Sequence, residues 1–218
     1  MTKPKKPIMT QLERNKSILH KYIPAPAVPL IAEWIVSFDF KLKIKKSRSS
    51  KYGDYRPPLR HTNHHISINR DLNPYAFLVT LVHEIAHLSN FKKHGDDVRP
   101  HGEEWKMEFR ELMQPFFKLG FFPEDLHQSL SRYLKNPLAS SCSDIGLLRV
   151  LKRYDQANGS VFLEELPPGS VFVFGKGRHF RKGDRIRKRI TCLELGTQRK
   201  YLFSPLCEVT IVTESLFS

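Results

Sequence analysis

The 218 residues, 40% hydrophobic and 11% aromatic, suffice for one good core with a small appendage, which excludes a disordered chain. A formal net charge of +14 is large for this length and points to a polyanionic partner, nucleic acid before membrane, although a solvated lysine-rich surface would read the same way. The cysteines, Cys142, Cys192 and Cys207, lie far apart with no C-x-x-C pair, which excludes a disulfide framework or a four-cysteine zinc site and suggests a reducing compartment.

Residues 1–8 form a basic, Lys/Pro-rich tail with no apolar stretch behind it, so neither a signal peptide nor a spanning helix is expected, and a cytoplasmic location is. Helical spacing covers Gln11 to Tyr22 and Val28 to Phe38, separated by Pro24-Ala25-Pro26; neither helix carries a cluster of catalytic residue types, and both are scaffold. Phe40 to Lys45 alternates strictly, which predicts a strand with Phe40, Leu42 and Ile44 on one face and Lys41, Lys43 and Lys45 on the other. Those lysines either blunt an edge strand or bind phosphate. Ser47 to Pro58 is expected as a polar turn, and His64 to Asn69 as a short strand placed to hold an extended peptide by backbone pairing. His61, His64 and His65 are taken as surface histidines, because three better-placed ligands follow.

Those ligands begin on the stretch Leu78 to Leu88, whose H-E-x-x-H pattern puts His83 and His87 on one face of a helix with Glu84 beside them. Two imidazoles, a third protein ligand and one open position for water make the arrangement of a zinc hydrolase, with Glu84 as the base that takes the water's proton. Asn73-Pro74 supplies an N-cap and a first-turn proline, and Leu78, Leu81, Val82, Ile85 and Leu88 a buried face. Asn90 to Pro100 is expected as a polar loop returning the chain to the ion. Of the candidates for the third ligand, His94, His101, Glu104 and Glu108, His101 is favoured because Gly102 allows close packing at the start of the next helix. His94 follows His87 without the glycine that would turn the chain there, since Asn90 stands in that place. In the helix after His101, Trp105, Phe109, Leu112, Met113 and Phe116 form an apolar stripe.

His83-Glu84-Ile85-Ala86-His87, the basic loop after it and His101-Gly102-Glu103-Glu104-Trp105 resemble the SprT-like metalloproteases, the family of bacterial SprT and the eukaryotic Spartan proteases, with coverage from about Met9 to Lys118. The resemblance implies an α+β fold with a compact zincin-like core, zinc on His83, His87 and His101, Glu84 as general base and, as in Spartan, proteolysis of proteins crosslinked to DNA. Many members add a zinc ribbon built on two cysteine pairs, which these three single cysteines cannot make.

Beyond the core, Leu126 to Lys135 and Asp144 to Tyr154 are expected as helices. From Ser160 the period becomes two, with strands at Val161 to Leu166, Ser170 to Phe174, Arg185 to Glu194, Arg199 to Ser204 and Val209 to Val212, and turns at Pro167-Pro168-Gly169, Gly175 to Gly183 and Gly196-Thr197. The resulting division is a tail (1–8), a SprT-like core (9–135), a helical connector (136–158) and a small antiparallel β module (159–218) in place of the ribbon. Arg178, Arg181, Lys182, Arg185, Arg187, Lys188 and Arg189, near Phe172, Phe174 and Phe180, suit single-stranded or distorted DNA, with charge for phosphates and rings for bases; a solvated basic hairpin would read the same way, and the phenylalanines themselves read as core before base-stacking rings. The expected function is a zinc endopeptidase acting on DNA-associated proteins. The alternative is a nucleic-acid-binding protein whose zinc site is structural or vestigial; a zinc hydrolase with a non-peptide substrate would carry the same ligands.

Overall fold

A capping box starts the first helix, α1 (Gln11–Leu19): the Glu13 N–H donates to the Thr10 hydroxyl, and the Thr10 N–H to the Glu13 carboxylate. The computed structural model describes residues 9–48, 51–59, 62–138, 144–155 and 160–212, so the basic tail, His61 and Cys142 lie outside the described residues. The chain divides into two compact units, Met1–Asp155 and Gln156–Ser218.

In the first unit a short 3-10 turn, Ala25–Ala27, leads into α2 (Val28–Ser37), whose Val28, Ile31, Ala32 and Ile35 are buried. Strand β1 (Phe40–Lys45) follows with the expected alternation, its lysines exposed. The segment expected as a turn instead contains a strand, β2 (Gly53–Arg56), paired antiparallel with β3 (His64–Asn69) from Gly53↔Ile68 to Arg56↔His65. Gly-Asp-Tyr-Arg has no apolar alternation to announce a strand, and its place comes from the ladder and from packing on the following helix. Because β1 pairs parallel with β3 on the other side, β3 is central and β2 is the edge. The exposed edge expected at β3 is therefore at β2.

The long helix α3 (Pro74–His94) begins at Asn73, whose carboxamide oxygen accepts the N–H groups of Tyr75 and Ala76 and whose Nδ2 donates to Leu151 O at 2.8 Å. It runs one turn past Asn90 into the segment expected as loop. Lys92, Lys93 and His94 complement the dipole of that last turn, and Gly95, at φ +62°, ends it. The helix is buried on nearly every side, by the sheet and by α4 (Glu103–Lys118), whose stripe of Trp105, Phe109, Met113 and Phe116 is fully buried. Two further helices, α5 (Glu124–Tyr133) and α6 (Ile145–Lys152, capped by Asp144), complete the unit.

The second unit is an antiparallel sheet with strand order β4-β9-β5-β6-β7-β8. Its strands are β4 (Val161–Phe162), β5 (Val171–Phe174), β6 (Arg178–Ile186), β7 (Arg189–Glu194), β8 (Lys200–Phe203) and β9 (Glu208–Ile211). The segment expected as a turn over Gly175 to Gly183 instead holds most of β6, and the strand expected from Arg185 to Glu194 is broken by the turn between β6 and β7. Gly175 and Gly177, both at positive φ, close the first hairpin; Arg187, at φ +53°, lies in the second. Gly183 lies within β6 at a bulge, where a Cβ would come 3.0 Å from the Thr191 carbonyl. Phe172, Phe180 and Phe203 form the core with Leu163, Ile190 and Cys192. Among the described residues no helix is long and apolar enough to cross a membrane.

Candidate metal centre

Helix α3 presents His83 and His87 one turn apart, and the turn before α4 brings His101 to them. His101 itself takes the left-handed conformation, φ +61°, a strained state for a non-glycine residue. Gly102 is extended, but a Cβ on it would lie 3.0 Å from the Arg99 carbonyl oxygen, so the glycine serves close packing at the helix start. The Nε2 atoms of His87 and His83 are 3.3 Å apart, those of His87 and His101 2.9 Å, and the ligand nitrogens of all three lie within 4.8 Å of one another.

Burial and the neighbouring charges of His87 and His101 hold the His83 imidazole well below its usual range. Burial, with the charge of His101, lowers His87 to about 3, and burial lowers His101. All three rings are therefore neutral at physiological pH, the state a metal ligand needs. Neutral rings cannot satisfy one another here, because a shared proton between His87 and His101 leaves the third lone pair without a donor. A cation satisfies all three. Zinc–nitrogen bonds of about 2.0–2.1 Å in a tetrahedral site set neighbouring ligand nitrogens roughly 3.4 Å apart, close to the spacings found.

Trp105 fixes the rings: it is fully buried, stacks on His87 (centroids 5.2 Å, 29°) and meets His83 and His101 edge-on at 4.6 and 4.8 Å. Glu108, a candidate third ligand in the sequence, is used elsewhere. Its carboxylate accepts from Ser89 Oγ at 2.6 Å and pairs with Lys93. His94, in the last turn of α3, is exposed and is not part of the cluster.

Glu84 is buried on the same stretch of helix, and a cleft of about 250 Å³ is lined by it, the three histidines and Gly53, Asp54 and Tyr55 of β2. Burial first, then the Asp54 charge, raises the Glu84 carboxyl to about 8, against the backbone N–H of Tyr55, which donates to it, and the charges of Lys51 and Arg48. Burial also pushes the Asp54 carboxyl up, but hydrogen bonds from Lys51 and Arg56, at 2.6 and 2.9 Å, outweigh it and leave Asp54 lowered. Gly53 lets β2 lie this close. A Cβ there would overlap Glu84 Oε1 and sit 2.8 Å from Glu84 Cγ and from Thr80 Cγ2. Gly53→Ala should therefore destabilise the fold by about 1–3 kcal/mol in urea unfolding, and a variant within about 0.5 kcal/mol of the parent would contradict this close approach.

A pH effect follows from the imidazoles. Unfolded histidines titrate near 6.5 and the folded His87 near 3, so the unfolded chain binds protons first as the pH falls, and stability present above 6.5 is lost below it. Metal-free protein should lose about 2 kcal/mol from His87 alone between pH 7.5 and pH 5. Thermal melts of the chelated protein at the two pH values check this, with an unchanged Tm as the contrary result.

The expected nucleic-acid residues divide by environment. Lys41, Lys43 and Lys45 are exposed along β1. Arg181, Arg185, Arg187 and Arg189 are exposed on or beside the β6–β7 hairpin. Arg178 pairs with Glu194 at 2.6 Å and lies over the rings of Phe180 and Tyr201, and buried Lys182 donates to the carbonyls of Glu164 and Leu166. These two cations hold the unit together. Phe172 and Phe180 lie in its core, so of the rings expected for base stacking only Phe174, 41% exposed, is at the surface. Sequence reasoning missed Gly53 and Tyr55: a lone glycine and a tyrosine in a polar stretch carry no signal of a strand over the cleft.

Comparison with known proteins adds one match. Residues 33–126 match the model of the SprT-like family, a span that holds the cleft, the three histidines and Glu84. No curated protein and no solved structure matches the chain.

Proposed function

We propose that this chain, whose residues 33–126 belong to the SprT-like family, is a zinc-dependent endopeptidase with a zincin-like core that acts on DNA-associated proteins. The observation that carries the reading is a buried carboxylate, Glu84, beside three convergent neutral imidazoles in one cleft. His83, His87 and His101 would hold the ion, and zinc supplies there a water acidic enough to ionise near neutral pH and a Lewis acid for a peptide carbonyl.

The chain's own residues do the rest. Glu84 takes a proton from the attacking water on its carboxylate and returns it to the leaving amine. Its carboxyl, neutral at pH 7 in the bare site, becomes a base once positive charge lies beside it. The Tyr55 N–H orients that carboxylate, and the backbone of β2 at the rim of the cleft offers pairing to an extended substrate.

Support for the DNA-associated substrate is the net charge of +14 and the exposed arginines Arg181, Arg185, Arg187 and Arg189. Cleavage of a DNA-binding protein should accelerate on addition of single-stranded DNA. Replacing Arg185, Arg187 and Arg189 by serine should remove the acceleration and reduce the salt slope of DNA binding by about one unit for each phosphate no longer neutralised. Cleavage indifferent to DNA would remove nucleic acid from the account; DNA binding without cleavage would favour the binding protein with a vestigial metal site.

A further inference from the structure

The three-stranded sheet has a second edge, separated from β2 and the cleft by β3. The Arg70 N–H donates to Lys45 O at 2.9 Å. In a parallel pair one residue turns both backbone groups towards its partner strand and the next turns both away. Lys41, Lys43 and Lys45 therefore spend their backbone groups on β3, while Phe40, Leu42 and Ile44 point theirs outward, where among the described residues no strand pairs with them. Between this edge and α1 lies a groove of about 360 Å³, walled on the helix side by Gln11, Asn15 and Ile18. These three are spaced one turn apart. The Asn15 Nδ2 is buried without a hydrogen-bond partner, and Ile18 is 49% exposed.

We propose that this groove takes an extended peptide of alternating apolar and acidic residues, added as a strand to the edge of β1. The outward N–H and C=O groups of Leu42 and Ile44 supply the main-chain bonds of strand addition. Side chains of an added strand alternate between the same two faces as those of β1. On one face they meet Leu42 and Ile44, which are apolar and only half-buried; on the other they meet Lys41, Lys43 and Lys45, which are exposed. Apolar residues suit the first and carboxylates the second. A second copy of the chain is a poor occupant, because two β1 edges would set lysine against lysine. A nucleic acid offers phosphates to the lysines but no peptide groups to the outward backbone.

The test uses the full chain carrying Glu84→Gln, so that the probe is not cut, and the blocked hexapeptide Val-Glu-Val-Glu-Val-Glu. Amide hydrogen exchange at Leu42 and Ile44 should slow by roughly tenfold or more on peptide addition, and less so in high salt. The effect should vanish in Lys41→Glu/Lys43→Glu/Lys45→Glu. It should weaken in Ile18→Asp, which leaves β1 itself unaltered. Equal protection by the Val-Lys counterpart, protection at Tyr55 in place of Leu42, or no protection would overturn the proposal. Slowing of the same amides by single-stranded DNA but not by the peptide would assign the edge to nucleic acid instead.

Discussion

Glu84→Gln should bind zinc as the parent does and lose turnover by about 10²- to 10⁴-fold, the range of a positioned general base. The carboxamide is nearly isosteric, and it keeps an oxygen to accept the Tyr55 N–H that orients the parent carboxylate. It cannot take a proton. The folding side of the same substitution points the other way. A carboxyl held near 8 by burial disfavours its own ionised form, so the metal-free parent loses stability as the pH rises from the unfolded value of 4.5 to about 8, and neutral glutamine should leave the metal-free protein as stable as the parent or more stable across that range and above it. Metal analysis, thermal melts and peptide cleavage on one preparation separate the two effects. A variant that cleaves at the parental rate would remove Glu84 from the chemistry.

Trp105→Ala should cost about 3–5 kcal/mol, a large part of the stability of an ordinary domain. The indole is completely buried and stacks on Phe109 at 5.3 Å as well as on His87. Its loss would open a cavity under all three imidazoles and weaken metal binding along with the fold. Trp105→Phe keeps an apolar ring there and should restore most of both. Its indole N–H has no partner, so nothing polar is forfeited in that exchange. Urea unfolding of the metal-free and metal-loaded proteins measures the two effects separately, and equal losses in both would confine Trp105 to the core.

The helix carrying His83, Glu84 and His87 was legible because its residues state one thing at several levels: an N-cap at Asn73, a proline in the first turn, apolar helical spacing and ligands four apart. The same agreement made the lysine face of β1 visible. The extension of α3 past Asn90 was not, since a polar run reads as loop until the charges of Lys92, Lys93 and His94 are set against the helix dipole. Strand β2 was hidden for a related reason. Its backbone pairs with β3 and its glycine fits against Glu84, and neither fact leaves a periodicity in the sequence. In the second unit the basic residues were visible, but their assignments were not. Only the fold separates Arg178 and Lys182, bonded within it, from the exposed arginines of the hairpin.

The proposed activity depends on one ion at His83, His87 and His101, and the direct measurement is a zinc titration of the chelated protein, following bound metal and cleavage of an unstructured protein together. Activity should return in proportion to bound zinc and saturate at about one equivalent, with no return in His101→Ala. Tight binding of one equivalent with no cleavage at any loading, or full cleavage by the chelated protein, would contradict it.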